Sequence, residues 1–457
     1  MRNHNFIDLL HASIQSSIQD QDQDQDIQQA LQTIQTFKAA DIADLLTQLP
    51  IESSQILLVN LPARAYVFSY LKPDQQIKLA KVIPWATLAE IIGEMPSDKR
   101  VDIFKQLNSE QQNILLPALA QAKREDIRQL ASYVEGTAGA IMSSEYATLK
   151  PNMTVLEAIK MLRLEAPDTE TIYLAYVLDA ARKLLGVISL KELILAQEQD
   201  CIQDLMTTDL IFSTVDTHQD EVVKKIARYD LLALPIVDEQ GFMVGIVTHD
   251  DAMDVANDEA TEDFLKASAV ETSRKLSLKT APIILLYQKR VFWLVILVFG
   301  SLLSGIGISH FEDIIAANIV LVFFLPLLVG SGGNAGSQSA TLMVRALATG
   351  DVQVKDWFYL LGRESLVALC LGGTMAFAVS ILGYVRGDSM IAMVLALSML
   401  GIVLLGCLIG MSLPFILNHL KLDPASASAP LVTSICDATG VVVYLFIASQ
   451  LLTGVSG

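Results

Sequence analysis

The sequence predicts a multidomain membrane protein: an α-helical solenoid, a tandem α/β repeat, a connecting helix and five all-α transmembrane helices. Three observations predict it. Charge and hydropathy are segregated along the chain. The mean hydropathy is +0.45 although 18% of the residues are charged. Residues 282–457 hold only 7 of the 32 Lys/Arg and 8 of the 50 Asp/Glu, so the net charge of −18 falls as about −17 before residue 282 and about −1 after it. Five long apolar segments fill the second part, each near the roughly 20 residues that span a bilayer. The first part contains two kinds of internal repeat.

In chain order, residues 1–27 form a polar leader that runs into QDQDQDIQQ. The start, MRNHNFIDLLHAS, lacks the basic-then-apolar pattern of a secretory signal. Prolines follow at 50, 62, 73, 84 and 96, spaced 12, 11, 11 and 12 residues apart, with short apolar-periodic segments between them. Each proline limits helix length, and short helices bury their faces only by stacking. Residues 28–131 therefore read as a helical solenoid, with an irregular helical bundle as the alternative.

Residues 138–256 hold the second repeat. IMSSEYATLKPNMTVLEAIKML aligns with LMTTDLIFSTVDTHQDEVVKKI, and YLAYVLDAARKLLGVISLKEL with DLLALPIVDEQGFMVGIVTHDDAM. Each unit reads as a short lead, an amphipathic helix, an apolar strand ending in Asp, a turn, a second strand and a helix. This pattern resembles a tandem pair of cystathionine-β-synthase-type (CBS) domains, at 138–200 and 201–256. Residues 257–281, through ATEDFLKASAVETSRKLSLKT, read as one continuous connecting helix up to Pro282.

The membrane part, 282–457, has uncharged segments at 291–309, 314–344, 365–385, 389–418 and 424–457, the last interrupted only by Asp437. Lys275, Lys279, Lys289, Arg290, Arg345, Lys355, Arg363 and Lys421 fall on one side of the spans, and only Arg386 on the other. By the positive-inside rule the soluble part is cytosolic and the C-terminus outside, in a multi-pass protein of the cell (inner) membrane surrounded by lipid.

Composition excludes several function classes. A strongly acidic soluble part does not bind nucleic acid through a basic surface. Cys201, Cys370, Cys407 and Cys436 form no CxxC pair and read as reduced packing residues. No HExxH, Walker or GxSxG pattern appears, and nothing pairs a nucleophile with a base, so the chain is not expected to be an enzyme.

Three features carry chemistry. The second span is long for one straight helix and contains Pro326 and then GSGGNAGSQSA at 330–340. Either the helix breaks and its freed carbonyls, beside Asn334 and Gln338, form an oxygen-rich lining, or the small residues serve close helix packing. Asp437 follows 13 uncharged residues and precedes 20. A carboxylate at mid-membrane costs roughly 2.5–3.5 kcal/mol on insertion scales, and no Lys or Arg in a span pairs with it. It must face water or a cation, or be protonated. Carboxylate, amide and carbonyl oxygens suit Mg²⁺ or Ca²⁺, and one carboxylate per chain would hold a Mg²⁺ together with its waters. Finally, residues 250–263 carry seven acids and no Lys or Arg, and Asp251, Asp254, Asp258 and Glu262 share one helical face. Like charges at these spacings repel by about 0.2–0.5 kcal/mol per pair, so the face is either solvated or bridged by divalent cations.

The order of solenoid, CBS pair, connecting helix and five spans resembles the MgtE magnesium transporter family. FLPLLVGSGGNAGSQSATLMVRALATG is similar to that family's second-helix motif and LDPASASAPLVTSICDATG to its fifth-helix motif. Ala429 departs from relatives that often carry Asn or Gly there. The resemblance implies a homodimeric Mg²⁺ channel whose single pore is lined by the second and fifth helices, with Asp437 as the ion-binding carboxylate. The pore candidates are Asp437, Asn334, Gly330, Gln338 and Thr433. The resemblance also implies that Mg²⁺ is regulator as well as substrate, sensed by Asp220, Asp230, Asp251, Asp254, Glu259, Glu262 and Asp263, with Asp98 and Asp102 as solenoid partners. Two alternatives remain at this stage. One is a nucleotide-responsive CBS membrane protein, with ATP at Thr248 and Asp251. The other is a carrier for another divalent cation such as Co²⁺, Zn²⁺ or Ca²⁺, of which Co²⁺ and Zn²⁺ would be expected to recruit His or Cys.

Overall fold

The computed structural model describes residues 31, 32, 34–270, 282–348, 350–427 and 429–452; the leader 1–27 and the stretch 271–281 lie outside them. The chain divides into two compact units, up to Asn257 and from Asp258 on.

Among the described residues of the first unit run the helices α1 (Ala39–Gln48), α2 (Ile51–Asn60), α3 (Arg64–Tyr70), α4 (Pro73–Val82), α5 (Trp85–Glu94), α6 (Ser97–Gln106), α7 (Ser109–Ala118) and α8 (Gln121–Ala131). The prolines start these helices. Pro50, Pro84 and Pro96 each precede the first helical residue and Pro73 is the first residue of α4. A missing N–H is harmless there, because the first turn's donors have no helical partner. Each helix packs against the one two places on, α1 on α3 through to α6 on α8. This regular stacking is the solenoid rather than the irregular bundle. Leu57, Leu58, Phe68, Leu88, Ile91 and Ile92 are fully buried between the layers, each contributing about 1.5–3 kcal/mol of transfer free energy.

The repeats follow as α9 (Ala138–Ile141), β1 (Tyr146–Leu149), α10 (Val155–Glu165), β2 (Thr171–Leu178), β3 (Leu184–Ser189) and α11 (Leu190–Leu195). The second copy is α12 (Ile202–Leu205), β4 (Ser213–Thr214), α13 (Gln219–Arg228), β5 (Ala233–Val237), β6 (Met243–Thr248) and α14 (His249–Ala267). Each sheet has three strands, a parallel pair (β1–β2, β4–β5) joined to an antiparallel one (β2–β3, β5–β6). The strands β1 and β4 lie where the sequence showed only a lead. Capping boxes at Thr154–Glu157 and Ser189–Glu192 begin α10 and α11, satisfying first-turn donors.

The leads are exchanged between the repeats. Ser143 bridges to Ile246 of β6, and Ala138 N–H and Gly139 N–H donate to Thr217 O and Val215 O beside β4. Reciprocally, Thr207 bridges to Val187 of β3. Met142 covers Gly245 and Met206 covers Gly186; a Cβ on either glycine would meet the methionine sulfur at 2.7 and 2.5 Å.

α14 differs from the expected connecting helix. It starts at His249, and its helical run ends at Ala267, followed by Ala269 in the left-handed region at φ 54°.

The second unit has five helices, among the described residues, long and apolar enough to cross a membrane: α15 (Ile283–His310), α17 (Val320–Ala348), α18 (Trp357–Arg386), α19 (Ser389–His419) and α20 (Ala429–Leu452). A short α16 (Glu312–Ala317) lies between the first two. α19 is the centre, packed by α17, α18 and α20. The expected break in the second span is absent: α17 is one helix of 29 residues that includes Pro326 and the whole glycine-rich stretch. Its glycines serve packing. Gly332 and Gly336 of α17 cross Gly406 and Gly410 of α19. A Cβ on Gly406 would lie 2.5 Å from the Gly332 carbonyl oxygen, and one on Gly410 would overlap the Gly336 carbonyl. Small residues four apart on both helices let the backbones touch.

Gly410→Leu is expected to prevent this crossing, since the obstructing atoms are backbone and no rotamer relieves them; overpacking costs typically 1–3 kcal/mol, occasionally more. Size-exclusion of detergent-solubilised protein should show the folded peak lost or its thermal midpoint lowered. Gly373→Leu, which faces open space, should leave both unchanged.

Candidate functional site

Two sites emerge, one in each unit. In the membrane unit, α17 and α20 run side by side with Gly330, Gly333, Asn334 and Ser337 at helical spacing on one and Thr433 and Asp437, four apart, on the other. Ser337 Oγ lies 2.9 Å from Thr433 Oγ1 and donates to Ala429 O at 3.2 Å. Gly333 makes room for the acid: a Cβ there would sit 2.8 Å from Thr433 Cγ2 and 3.1 Å from Asp437 Oδ1. Asp437 Oδ1 is buried and has no hydrogen-bond partner among the described residues. Asp437 opens on a cavity of about 540 Å³ whose polar wall is Gly330, Asn334 and Thr433, continued by apolar residues including Val329, Leu325 and Ile308. A few hundred Å³ far exceeds the ~10–15 Å³ that admits one water, so the acid faces room for an ion with its waters. The lining contains no His or Cys among the described residues. Gln338, expected in the lining, is exposed and lies off the cavity.

In the soluble unit, the first turn of α6 docks on the repeats through four consecutive residues. Ser97 Oγ lies 3.0 Å from Ser143 Oγ and accepts from Ser144 N–H at 2.9 Å. Lys99 Nζ sits among three carboxyl groups: Asp251 Oδ1 at 3.1 Å, Asp98 Oδ2 at 3.4 Å and Asp254 Oδ2 at 3.5 Å. Arg100 is fully buried. Its guanidinium donates to Ile92 O at 3.1 Å, Met95 O at 2.5 Å, Asp126 Oδ2 at 3.0 Å and Glu145 Oε1 at 2.8 Å. Lys123 Nζ reaches the same Glu145 oxygen at 2.5 Å. Burial and the neighbouring Asp251 push the Asp98 carboxyl up to about 8. Burial opposes the charged form of Lys99, but Asp98, Asp251 and Asp254 outweigh it and hold the ammonium above its ordinary range. Burial, then Asp251, raises Glu170 to about 7.

Family models match about three quarters of the chain: "MgtE intracellular N domain" at residues 37–136, "CBS domain" at 138–198 and 202–258, and MgtE, "Divalent cation transporter", at 325–447. The chain is 37% identical over 443 residues to the magnesium transporter MgtE of Thermus thermophilus, covering 94% of this chain and 98% of that one. The chain belongs to the MgtE family. The MgtE of Bacillus subtilis is 32% identical over 80% of both chains. The crystal structure of the soluble part of a magnesium transporter superposes with a TM-score of 0.51 at 28% identity, covering 56% of this chain and 99% of that one.

In this chain, the predicted residues Asp98, Asp251 and Asp254 come together around Lys99. Asp102 is exposed one turn further along α6, Asp220 pairs with Lys224 at 2.7 Å, and Asp230 occupies a left-handed turn at φ 49° after α13. Glu259, Glu262 and Asp263 lie on the second half of α14. Thr248 and Asp251, the nucleotide candidates, are both buried. The Thr248 hydroxyl donates to Asp251 Oδ2 at 2.6 Å, so both are engaged with each other and, through Asp251, with Lys99.

Sequence reasoning missed several charged groups. Besides Lys99 and Arg100, Lys266 Nζ joins Glu262 at 2.8 Å to Asp423 at 2.6 Å, and the other Asp423 oxygen accepts from Ala425 N–H in the turn that leads into α20. On α18, Glu364 accepts a short hydrogen bond from Ser339 of α17. It stands immediately before the apolar run that begins at Ser365, which hid it as a flanking charge.

Arg100→Ala removes a fully buried guanidinium from two partly buried carboxylates, and breaking a buried ion pair from one side costs about 3–5 kcal/mol. Thermal unfolding of the full-length protein should show the soluble half melting well below wild type. An unchanged midpoint would place Asp126 and Glu145 in water.

Proposed function

We propose that this chain is a Mg²⁺ channel of the cell membrane that mediates Mg²⁺ uptake as a homodimer and is closed by cytosolic Mg²⁺. The observation that carries the reading is the unpartnered Asp437 oxygen beside a largely apolar cavity that Asn334 and Thr433 also line, in a chain of a magnesium transporter family. Mg²⁺ is a hard ion that dehydrates reluctantly, so a single carboxylate attracts it with most of its waters retained. Asp437 supplies the charge, and the Asn334 amide and Thr433 hydroxyl offer polar contacts to those waters. The oxygen-only lining disfavours Co²⁺ and Zn²⁺, which recruit imidazole and thiolate.

The Lys/Arg asymmetry supports a cytosolic N-terminus and an external C-terminus. One carboxylate and five spans per chain support a pore completed by a second copy. Regulation follows from charge: divalent ions placed between facing carboxylates favour the docked state of the soluble domains, and by linkage shift the population toward it. The helix that bears Asp251 and Asp254 leads along the chain toward the first span, which gives docking a covalent route to the membrane.

Asp437→Asn should reduce Mg²⁺ uptake in Mg²⁺-starved cells to background while the protein still folds, and Asn334→Ala should reduce it partially. Wild-type uptake by a folded Asp437→Asn protein would falsify the pore assignment. Cysteine labelling in intact cells should reach a cysteine placed at Gly457 from outside but not one at Val134, and native mass measurement should give two chains. A fully active monomer would overturn the dimeric pore.

A further inference from the structure

We propose that Lys99 is a tethered competitor for the divalent cation at the junction of the solenoid and the second CBS repeat, its ammonium docking the two domains until the ion displaces it. The inference rests on the sensing role proposed above for Asp98, Asp251 and Asp254, and adds to it a residue of opposite charge.

The geometry is specific. Three carboxyl groups from two domains converge within 3.1–3.5 Å of one ammonium. The Asp98 side chain is only 9% exposed, and its Oδ1 has no hydrogen-bond partner among the described residues. A single –NH₃⁺ has three donors and one charge. Here its single charge faces three carboxyl groups, and one buried oxygen, Asp98 Oδ1, is left without a partner among the described residues. That surplus suits a divalent cation, which takes six or more oxygens with water completing the shell. The two cations exclude one another: unit charges a few ångströms apart in a partly buried site repel strongly, and both use the same acids. The Lys99 side chain is 34% exposed on a flexible four-carbon stem, so it has water to swing into when displaced. Arg100, by contrast, is wholly enclosed and bound on every side. Arg100 is therefore the enclosed contact of the docked junction and Lys99 the exchangeable one.

Two consequences follow. Without divalent ions, Lys99 offsets part of the acids' charge and adds to the docked population, which blunts the response. With them, the ion must first outcompete the lysine, which raises the concentration at which the site fills.

The test is hydrogen exchange of the α6 segment, residues 97–106, in full-length protein in detergent, followed across a Mg²⁺ titration. Wild type is compared with Lys99→Met and with the shorter neutral Lys99→Gln. Lys105→Met, which removes the contact to Glu135, serves as control. Both Lys99 variants should exchange faster than wild type without Mg²⁺ and reach protection at a midpoint lower by about fivefold or more. The control should follow wild type. A midpoint unchanged or raised in both Lys99 variants, with wild type responding normally, would sink the competitor role and leave the sensor reading standing. Protection in the variants equal to wild type without Mg²⁺ would do the same. If wild type itself gave no Mg²⁺ response, the sensor reading would fall and this proposal with it.

Discussion

The soluble half depends on the first turn of α6. Ser97, Asp98, Lys99 and Arg100 are consecutive: Ser97 reaches the first lead, Lys99 the second repeat and Arg100 the pair Asp126 and Glu145, while Asp98 is buried beside Lys99. A helix normally spreads four consecutive residues around its circumference. Here the turn is inserted deeply enough for all four directions to meet protein. Arg100 makes this possible, because its planar fork satisfies two carbonyls and two carboxylates at once. A point charge such as lysine could not fill that position. The neighbouring lysine is correspondingly the one that can leave.

The membrane half is organised around α19, and two of its helix seams have different chemistry. Between α17 and α19, glycines bring backbone against backbone. Between α17 and α20 the contact includes hydroxyls, with Ser337 meeting Thr433 and Gly333 opening space for Asp437. The glycines that tighten one seam and the glycine that shapes the other are neighbours on one helix. This explains how a stretch rich in Gly can stay helical: at Gly332, Gly333 and Gly336 the missing side chain is replaced by the approach of another helix, which offsets the propensity loss of about 1 kcal/mol per glycine.

Much of this was legible in the sequence because it is periodic. The proline rhythm, the internal repeat and the five apolar runs are one-dimensional signals, and Asp437 stands out against an uncharged background. What escaped depends on pairing across long separations. Lys99 and Arg100 carry no local signal of their partners, Asp98 enters only through the family resemblance, and only the fold brings Asp251 and Glu145 to them. The glycine stretch supported two readings, a broken helix and a packing face. The deciding residues, Gly406 and Gly410, lie some seventy positions away. The leads looked like linkers because β4 has only two residues and part of each lead pairs with the other repeat.

The exchange of leads bears on how the chain is made. The first sheet is completed by Thr207, and the second by Ser143. As the ribosome delivers the first repeat, its Gly186 remains uncovered until Met206 has emerged, while Met142 waits for a β6 that comes about a hundred residues later. Neither half can reach its native burial alone. Residues 137–248 therefore form a single cooperative folding unit, built from two copies that sequence similarity would suggest are separable. A chain cut between the copies would leave two open sheets rather than one finished domain.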